Sequence, residues 1–191
     1  MIKNIFPSYF YSVVPLSNKE KVFKKFKYVK TDKEGTKKIS WNRYCAVNVE
    51  QFYPQDVASI ILEPLGKFFK EWRIDPKIEL LDIWRNTYQE GGFQEIHDHM
   101  TSQLSDLSGC IFFEDHDELA SQFYFFNSHS AEMGPTWRSI MADRDIQPYN
   151  YFIKPKAGDV LLFPSYMLHG VTVHKLKKPR TTVSFNVKFL K

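Results

Sequence analysis

Two histidines stand one residue apart in His97-Asp98-His99. A third, His169, closes the run Gly158-Asp-Val-Leu-Leu-Phe-Pro-Ser-Tyr-Met-Leu-His169, and Arg180 opens Arg180-Thr-Thr-Val-Ser-Phe-Asn186. Alternate residues of an extended strand share a face, so His97 and His99 project together while Asp98 points away. If His169 arrives from a neighbouring strand, three imidazoles cover one side of a metal ion and leave its other side open. That arrangement suits non-haem iron better than a closed structural zinc site. The chain reads first as a metalloenzyme. A lone histidine carries no such implication. His116 sits in the acidic turn Glu114-Asp-His-Asp-Glu118, His129 and His174 lack spacing partners, and none of the three is given a chemical role.

Arg180 supplies the second half of the chemistry. Its planar guanidinium can grip a carboxylate through two parallel bonds, which an ammonium cannot do. Strand alternation puts Arg180, Thr182 and Ser184 on one side, so the arginine and one or two hydroxyls point inward together. This is a carboxylate pocket about one strand from a metal. A compound that chelates metal at one end and carries a carboxylate at the other would engage both, and 2-oxoglutarate has that shape. One alternative stays open at the metal: a β-bulge would turn Asp98 inward in place of His99.

These groups need a sheet to hold them. Beyond residue 77 the chain breaks into short apolar runs punctuated by turn residues, predicting strands near 78–88, 95–99, 108–113, 122–126, 151–153, 160–163, 170–174 and 181–189. Gly91-Gly92 and Ala157-Gly158-Asp159 mark turns between them. Eight such strands predict a mainly β fold of jelly-roll type, with a helical layer N-terminal to it. That layer is an amphipathic helix over Pro54–Trp72, where Val57, Ile60, Ile61, Leu65, Phe68, Phe69 and Trp72 recur at helical spacing. Pro64 should kink or split it. The stretch 127–150, with Trp137, Arg138, Met141, Arg144 and Pro148, is long for a connection and reads as a lid over the metal mouth or as a crossover between sheets.

The chain has 191 residues, enough for one domain with a real core, so a metal serves function rather than folding. We expect a single domain over 1–191, with 1–77 as a strand and helix support and 78–191 as the β core. Aromatic residues make up 16% of the chain, including 17 phenylalanines, and favour half-buried sheets over helical bundles. Cys45 and Cys110 have no metal-ligand spacing and support neither a disulfide framework nor a zinc knuckle. No signal-like start or membrane-length apolar run occurs, so a soluble, cytoplasmic protein is expected, as monomer or homodimer. The net charge of +4 is concentrated. Between residues 19 and 38 nine lysines face three acids, Glu20, Asp32 and Glu34, while the rest of the chain is net negative. We read this segment as a strand-and-turn edge protected by lysines. No recognised nucleic-acid-binding motif accompanies it, and nucleic acid is not an expected partner.

The motifs together resemble a known family. They are Trp84-x-Asn86-x-Tyr88, Glu95-x-His97-x-His99, Leu107-Ser-Gly-Cys-Ile-Phe-Phe113, Gly158-Asp159-x-x-x-Phe163-Pro164-Ser165 with His169, and Arg180-x-Thr182-x-Ser184-Phe185-Asn186. This pattern resembles the iron(II)- and 2-oxoglutarate-dependent oxygenases, and is most similar to the prolyl-hydroxylase-like branch whose small members are often encoded by phages. It spans residues 78–190, with a fainter echo in Ile5-Phe6-Pro7. Most of the wider superfamily carries a carboxylate two residues after the first histidine, where this chain has His99. The spacer 100–106 is also longer than the family's usual link.

The resemblance implies a double-stranded β-helix with Fe(II) at the mouth of its barrel, held by His97, His99 and His169. It implies that Arg180 holds the distal carboxylate of 2-oxoglutarate, helped by Thr182 or Ser184, with Asn86 and Tyr88 lining the same pocket. Molecular oxygen would be consumed, the cosubstrate would leave as succinate, and a C–H bond would be hydroxylated. The primary substrate would be a prolyl-like peptidyl residue or a small molecule. A competing reading is a redox-inert cupin-like protein that binds a metal and a small anion as an isomerase or sensor, since one barrel supports many functions. Such a protein has no need of Arg180.

Overall fold

The structure is a computed structural model that describes residues 9–38, 44–100, 104–131, 134–143 and 149–190. Its elements run β1 (Ser12–Pro15), α1 (Lys19–Tyr28), β2 (Thr31–Asp32), α2 (Lys33–Lys38), β3 (Val47–Phe52), α3 (Pro54–Trp72), β4 (Lys77–Tyr88), β5 (Gln94–His97), β6 (Leu107–Phe112) and β7 (Phe123–Phe126). There follow a 3-10 turn (Ser128–Ala131), α4 (Pro135–Ala142), β8 (Asn150–Phe152), β9 (Asp159–Pro164), β10 (His169–Val171) and β11 (Arg180–Leu190). Two antiparallel sheets result. The larger has the order β1-β9-β6-β11-β4-β3-β2 and the smaller β5-β10-β7-β8. This is the expected jelly roll, with a modest helical layer.

The large sheet is buried on both faces, and strand parity decides what each face holds. Ile83, Ile111, Val160, Leu162, Val183, Phe185 and Val187 face the helices and pack with Val22, Phe26, Val57, Ile61 and Leu65. Tyr88, Cys110, Phe112, Leu161 and Phe163 face the small sheet and pack with Phe123, Phe125 and Val171. Arg180, Thr182 and Asn186, at even positions of β11, belong to the second face and are buried there.

All eight predicted strands are present, with shifted ends: β5 stops at His97, and β10 covers His169–Val171. β1, β2 and β3 give strand content to the support expected over 1–77, at positions the sequence had not assigned. β1 pairs with β9 at one edge and β3 pairs with β4 at the other, so the first third of the chain widens the large sheet. The basic segment corrects the expectation of a strand-and-turn edge, because most of it is helical. Asn18 caps α1 by accepting the Lys21 N–H at 3.0 Å, and Val22 and Phe26, one turn apart, are its buried face. The lysines lie on the opposite, exposed side.

α3 is one helix running through Pro64, so it is not split. Proline removes a single backbone donor, and the buried stripe from Val57 to Phe68 holds the helix to the sheet on both sides of that loss. The stretch 127–150 contains α4 and the 3-10 turn. Arg138 lies over the Tyr149 ring at 5.8 Å, and Trp137 is exposed. Arg144 and Pro148 lie outside the described residues.

Candidate active site

Between the sheets lies a narrow cavity whose walls include His97, His99 and His169 at one end and Tyr88 and Arg180 at the other. β10 carries His169 opposite His97 of β5 in antiparallel register, which brings two of the imidazoles together across one ladder. His99 lies just past the end of β5, where its backbone N–H donates to the Ser165 carbonyl at 3.0 Å. Its Nε2 is 3.3 Å from His97 Nε2 and 3.2 Å from His169 Nε2.

The other ring nitrogens decide what those three atoms are. His97 Nδ1 lies 2.7 Å from the Glu95 carbonyl, His169 Nδ1 2.8 Å from the Met167 carbonyl, and His99 Nδ1 2.7 Å from Asn186 Oδ1. Each partner is an acceptor, so each Nδ1 carries the proton and each Nε2 is a bare lone pair. Three lone pairs then converge with no proton between the rings, the Gln94 amide reaching His97 Nε2 only at 3.4 Å, and a cation resolves the repulsion among them. Ligands bonded at about 2.1 Å to a first-row metal, spaced by 90–110°, sit about 3.0–3.4 Å apart, which is the separation seen here. These residues fit an ion held on one face.

Electrostatics agree with neutral imidazoles. Burial lowers the pKa of all three: His97 downward, His99 to about 4, with His97 beside it adding to the shift, and His169 well below the ordinary histidine value. Asp98 is not part of the cluster, and its Oδ1 accepts the Met100 N–H at 3.0 Å. Of the two candidates left open by the sequence, it is His99 whose ring lies beside those of His97 and His169.

At the far end Arg180 is buried, with Nη1 donating to Ser121 Oγ at 3.1 Å and the guanidinium 5.4 Å from the Phe112 ring centre. Among the described residues no carboxylate makes a direct ion pair with it, although the Glu114 carboxylate acts on it electrostatically from further away. Burial also lowers its pKa. A desolvated guanidinium with one neutral hydrogen bond is costly on its own, and an anionic ligand offsets that cost. Thr182 and Ser184 share the cavity wall with it. Asn86 stands behind them, its Nδ2 donating to Ser184 Oγ at 3.1 Å and Thr182 Oγ1 at 3.4 Å. Tyr88 lines the cavity and donates to Gln94 Oε1 at 3.1 Å.

Several cavity residues escaped the sequence reading as site members. Gln94 lies three residues before His97, the wrong parity for a shared face, yet both line the cavity. His169 and Val171, two apart, pair with His97 and Gln94, three apart, so a register irregularity in β5 brings them to the same side. Trp84 also lines the wall, its ring stacked near His99 and its buried Nε1 without a hydrogen-bond partner among the described residues. Asn186 was visible as a motif residue and shares the parity of Arg180, the signal that could have assigned it. Trp137, Arg138 and Met141 are not among the cavity-lining residues.

Comparison with known proteins agrees with this geometry. Residues 82–186, more than half of the chain, match the family model described as "Putative 2OG-Fe(II) oxygenase", and the chain belongs to that 2OG-Fe(II) oxygenase family. No curated protein matches it by sequence. Among solved structures it is similar to HygX from Streptomyces hygroscopicus with nickel and 2-oxoglutarate bound, at 14% identity over 96% of this chain and 84% of that one, TM-score 0.63. It is also similar to the viral collagen prolyl hydroxylase vCPH from Paramecium Bursaria Chlorella virus-1, at 14% identity over 93% and 94%, TM-score 0.58. The carbocyclase SnoK from nogalamycin biosynthesis aligns at 14% identity over 94% and 80%, TM-score 0.65. At these identities the neighbours speak for the fold. The family makes the protein a 2-oxoglutarate- and iron(II)-dependent oxygenase and disfavours the redox-inert reading.

Proposed function

We propose that the chain is a hydroxylase in which His97, His99 and His169 hold Fe(II) and Arg180, with Thr182 or Ser184, grips the distal carboxylate of 2-oxoglutarate. Asn86 orients the two hydroxyls, and Tyr88 closes the same wall. The observation that carries this reading is the convergence of three unprotonated Nε2 atoms in one cavity with a buried guanidinium that makes no direct ion pair among the described residues. When bound, the iron and its cosubstrate supply oxygen activation. The protein's share is placement of the cosubstrate between triad and clamp and exclusion of bulk water by the aromatic walls.

For the primary substrate, a prolyl-like peptidyl residue or a small molecule is supported by relatives whose names include a collagen prolyl hydroxylase and a structure with hygromycin B bound. The motif resemblance further supports a place among small phage-encoded members. Buried free thiols at Cys45 and Cys110 support a cytoplasmic setting. Among the described residues no helix is long and apolar enough to cross a membrane. We take 1–191 as one functional unit, monomeric or homodimeric, in which 1–77 braces the core over 78–191.

The test is anaerobic addition of Fe(II) and 2-oxoglutarate, followed by visible absorption. A charge-transfer band is expected, weakened by His169→Ala or Arg180→Ala in folded protein, and its absence from the wild type overturns the reading. Oxygen-dependent succinate release then reports turnover, and candidate substrates are ranked by how far they stimulate it.

A further inference from the structure

We propose that Asn186, backed by a chain of three buried serines, is the positioning residue that fixes His99 in its metal-competent tautomer. The inference rests on His97, His99 and His169 being metal ligands. Asn186 Oδ1 accepts from His99 Nδ1 at 2.7 Å and from Ser108 Oγ at 2.9 Å. Ser108 Oγ is 2.8 Å from Ser165 Oγ, which is 2.7 Å from Ser105 Oγ. Ser105 Oγ lies 3.3 Å from the carbonyls of both Leu107 and Val187. All four residues are buried.

Each hydroxyl has one proton, so the chain has two polarities in which all three protons run the same way along it. Running from Ser105 toward Asn186, it delivers the Ser108 proton to Oδ1. His99 Nδ1–H donates to the same oxygen, and His99 Nε2 keeps its lone pair. Running the other way, Ser105 donates to the carbonyls, and Asn186 must turn its amino group toward Ser108 and His99. His99 Nδ1 then becomes an acceptor, and the proton moves to Nε2, aimed at the other two imidazoles. The polarity of the serine chain and the ability of His99 to bind metal are therefore one variable. The structure places Asn186 Oδ1, and not its amino group, toward both His99 Nδ1 and Ser108 Oγ, which is the first polarity.

His97 and His169 need no such device, because their Nδ1 protons go to backbone carbonyls, which can only accept. His99 alone is oriented by a group that could face either way.

Two substitutions separate orientation from mere packing. Asn186→Asp keeps the shape but can only accept, whereas Asn186→Leu keeps the bulk and accepts nothing. Co(II) titration of the purified protein, followed by its visible absorption, should show affinity weakened about 10- to 100-fold in Asn186→Leu and at least wild-type in Asn186→Asp. Ser108→Ala, which frees the amide to turn, should weaken Co(II) several-fold, and adding Asn186→Asp should restore it; this pair carries the test if Asn186→Leu does not fold. Nitrogen-15 spectra of the metal-free histidines should find His99 protonated at Nδ1 in the wild type and Asn186→Asp, and at Nε2 or mixed in Ser108→Ala. Wild-type Co(II) binding that is lost in His169→Ala but unchanged in Asn186→Leu, or a Ser108→Ala defect that Asn186→Asp does not rescue, overturns this inference alone. Failure of the wild type to bind Co(II) overturns it together with the metal reading.

Discussion

At the scale of single residues, burial keeps the three imidazoles uncharged, which readies them for a metal and ties stability to pH. Unfolded histidine titrates near 6.5, while folded His99 titrates at about 4, chiefly because it is buried. Below about pH 6.5 the unfolded chain therefore binds more protons than the folded one, and stability must fall as pH falls. For His99 the loss between about pH 6.5 and 4 is about 3 kcal/mol, with His97 and His169 shifted in the same direction. Thermal melts of metal-free protein should be flat above about pH 7 and drop through that window, more gently in His99→Gln. A melting temperature that rises on acidification would falsify the neutral, buried triad. Arg180 carries a second prediction at this scale. Lysine preserves its charge and loses its fork, so Arg180→Lys should raise the KM for 2-oxoglutarate by about 10-fold or more, and Arg180→Ala by about 30-fold or more, in steady-state succinate assays. Equal KM values for Arg180→Lys and the wild type would remove the bidentate grip from the proposal.

At the scale of elements, β11 is the organising strand. On its inner face it spaces the guanidinium, two hydroxyls and the amide that holds His99, while Val183, Phe185 and Val187 press its outer face on the helices. Sequence alternation made that strand legible, together with most of the site, because a long central strand obeys period two with little interference. Where local irregularity governs, legibility failed. The register shift in β5 hid Gln94, and His99 reaches the cluster from beyond the strand end instead of by the simple alternation first assumed. α1 was hidden by its own lysines, which look like an edge defence until Val22 and Phe26 are read as one buried stripe. β1 and β2 are too short for a periodic signal. Gly109 on β6 sits opposite Phe185 of β11, and a Cβ there would lie 2.1 Å from the Phe185 ring. Because Phe185 is fully buried, the ring has nowhere to go, and Gly109→Ala should cost about 1–3 kcal/mol in urea unfolding. Most of that cost should vanish when the alanine is introduced beside Phe185→Leu; an additive pair would mean the glycine serves something other than ring clearance.

At the scale of the whole molecule, the two sheets divide the work. The small sheet brings His97 and His169 through β5 and β10, and the large sheet brings Arg180 through β11. A metal ion held by the proposed triad would engage the small sheet and, through His99 and Asn186, one point of the large one. A molecule with a chelating end and a carboxylate end would join the triad to the clamp and tie the sheets across their shared cavity. Binding should then be thermodynamically coupled: each ligand stabilises the native state, and 2-oxoglutarate should do so mainly when a metal is present to hold its other end. Melting temperatures in four conditions, with neither ligand, with redox-inert Mn(II), with 2-oxoglutarate and with both, measure that coupling directly. At about 100 times its dissociation constant a ligand contributes about 3 kcal/mol, worth several degrees for a chain of this size. We expect the shift from 2-oxoglutarate to be small without Mn(II), to reach that size with it, and to disappear in Arg180→Ala while the Mn(II) shift survives. If the 2-oxoglutarate shift is equal with and without Mn(II), the carboxylate clamp and the triad serve separate ligands, and the cavity does not hold one cosubstrate between them.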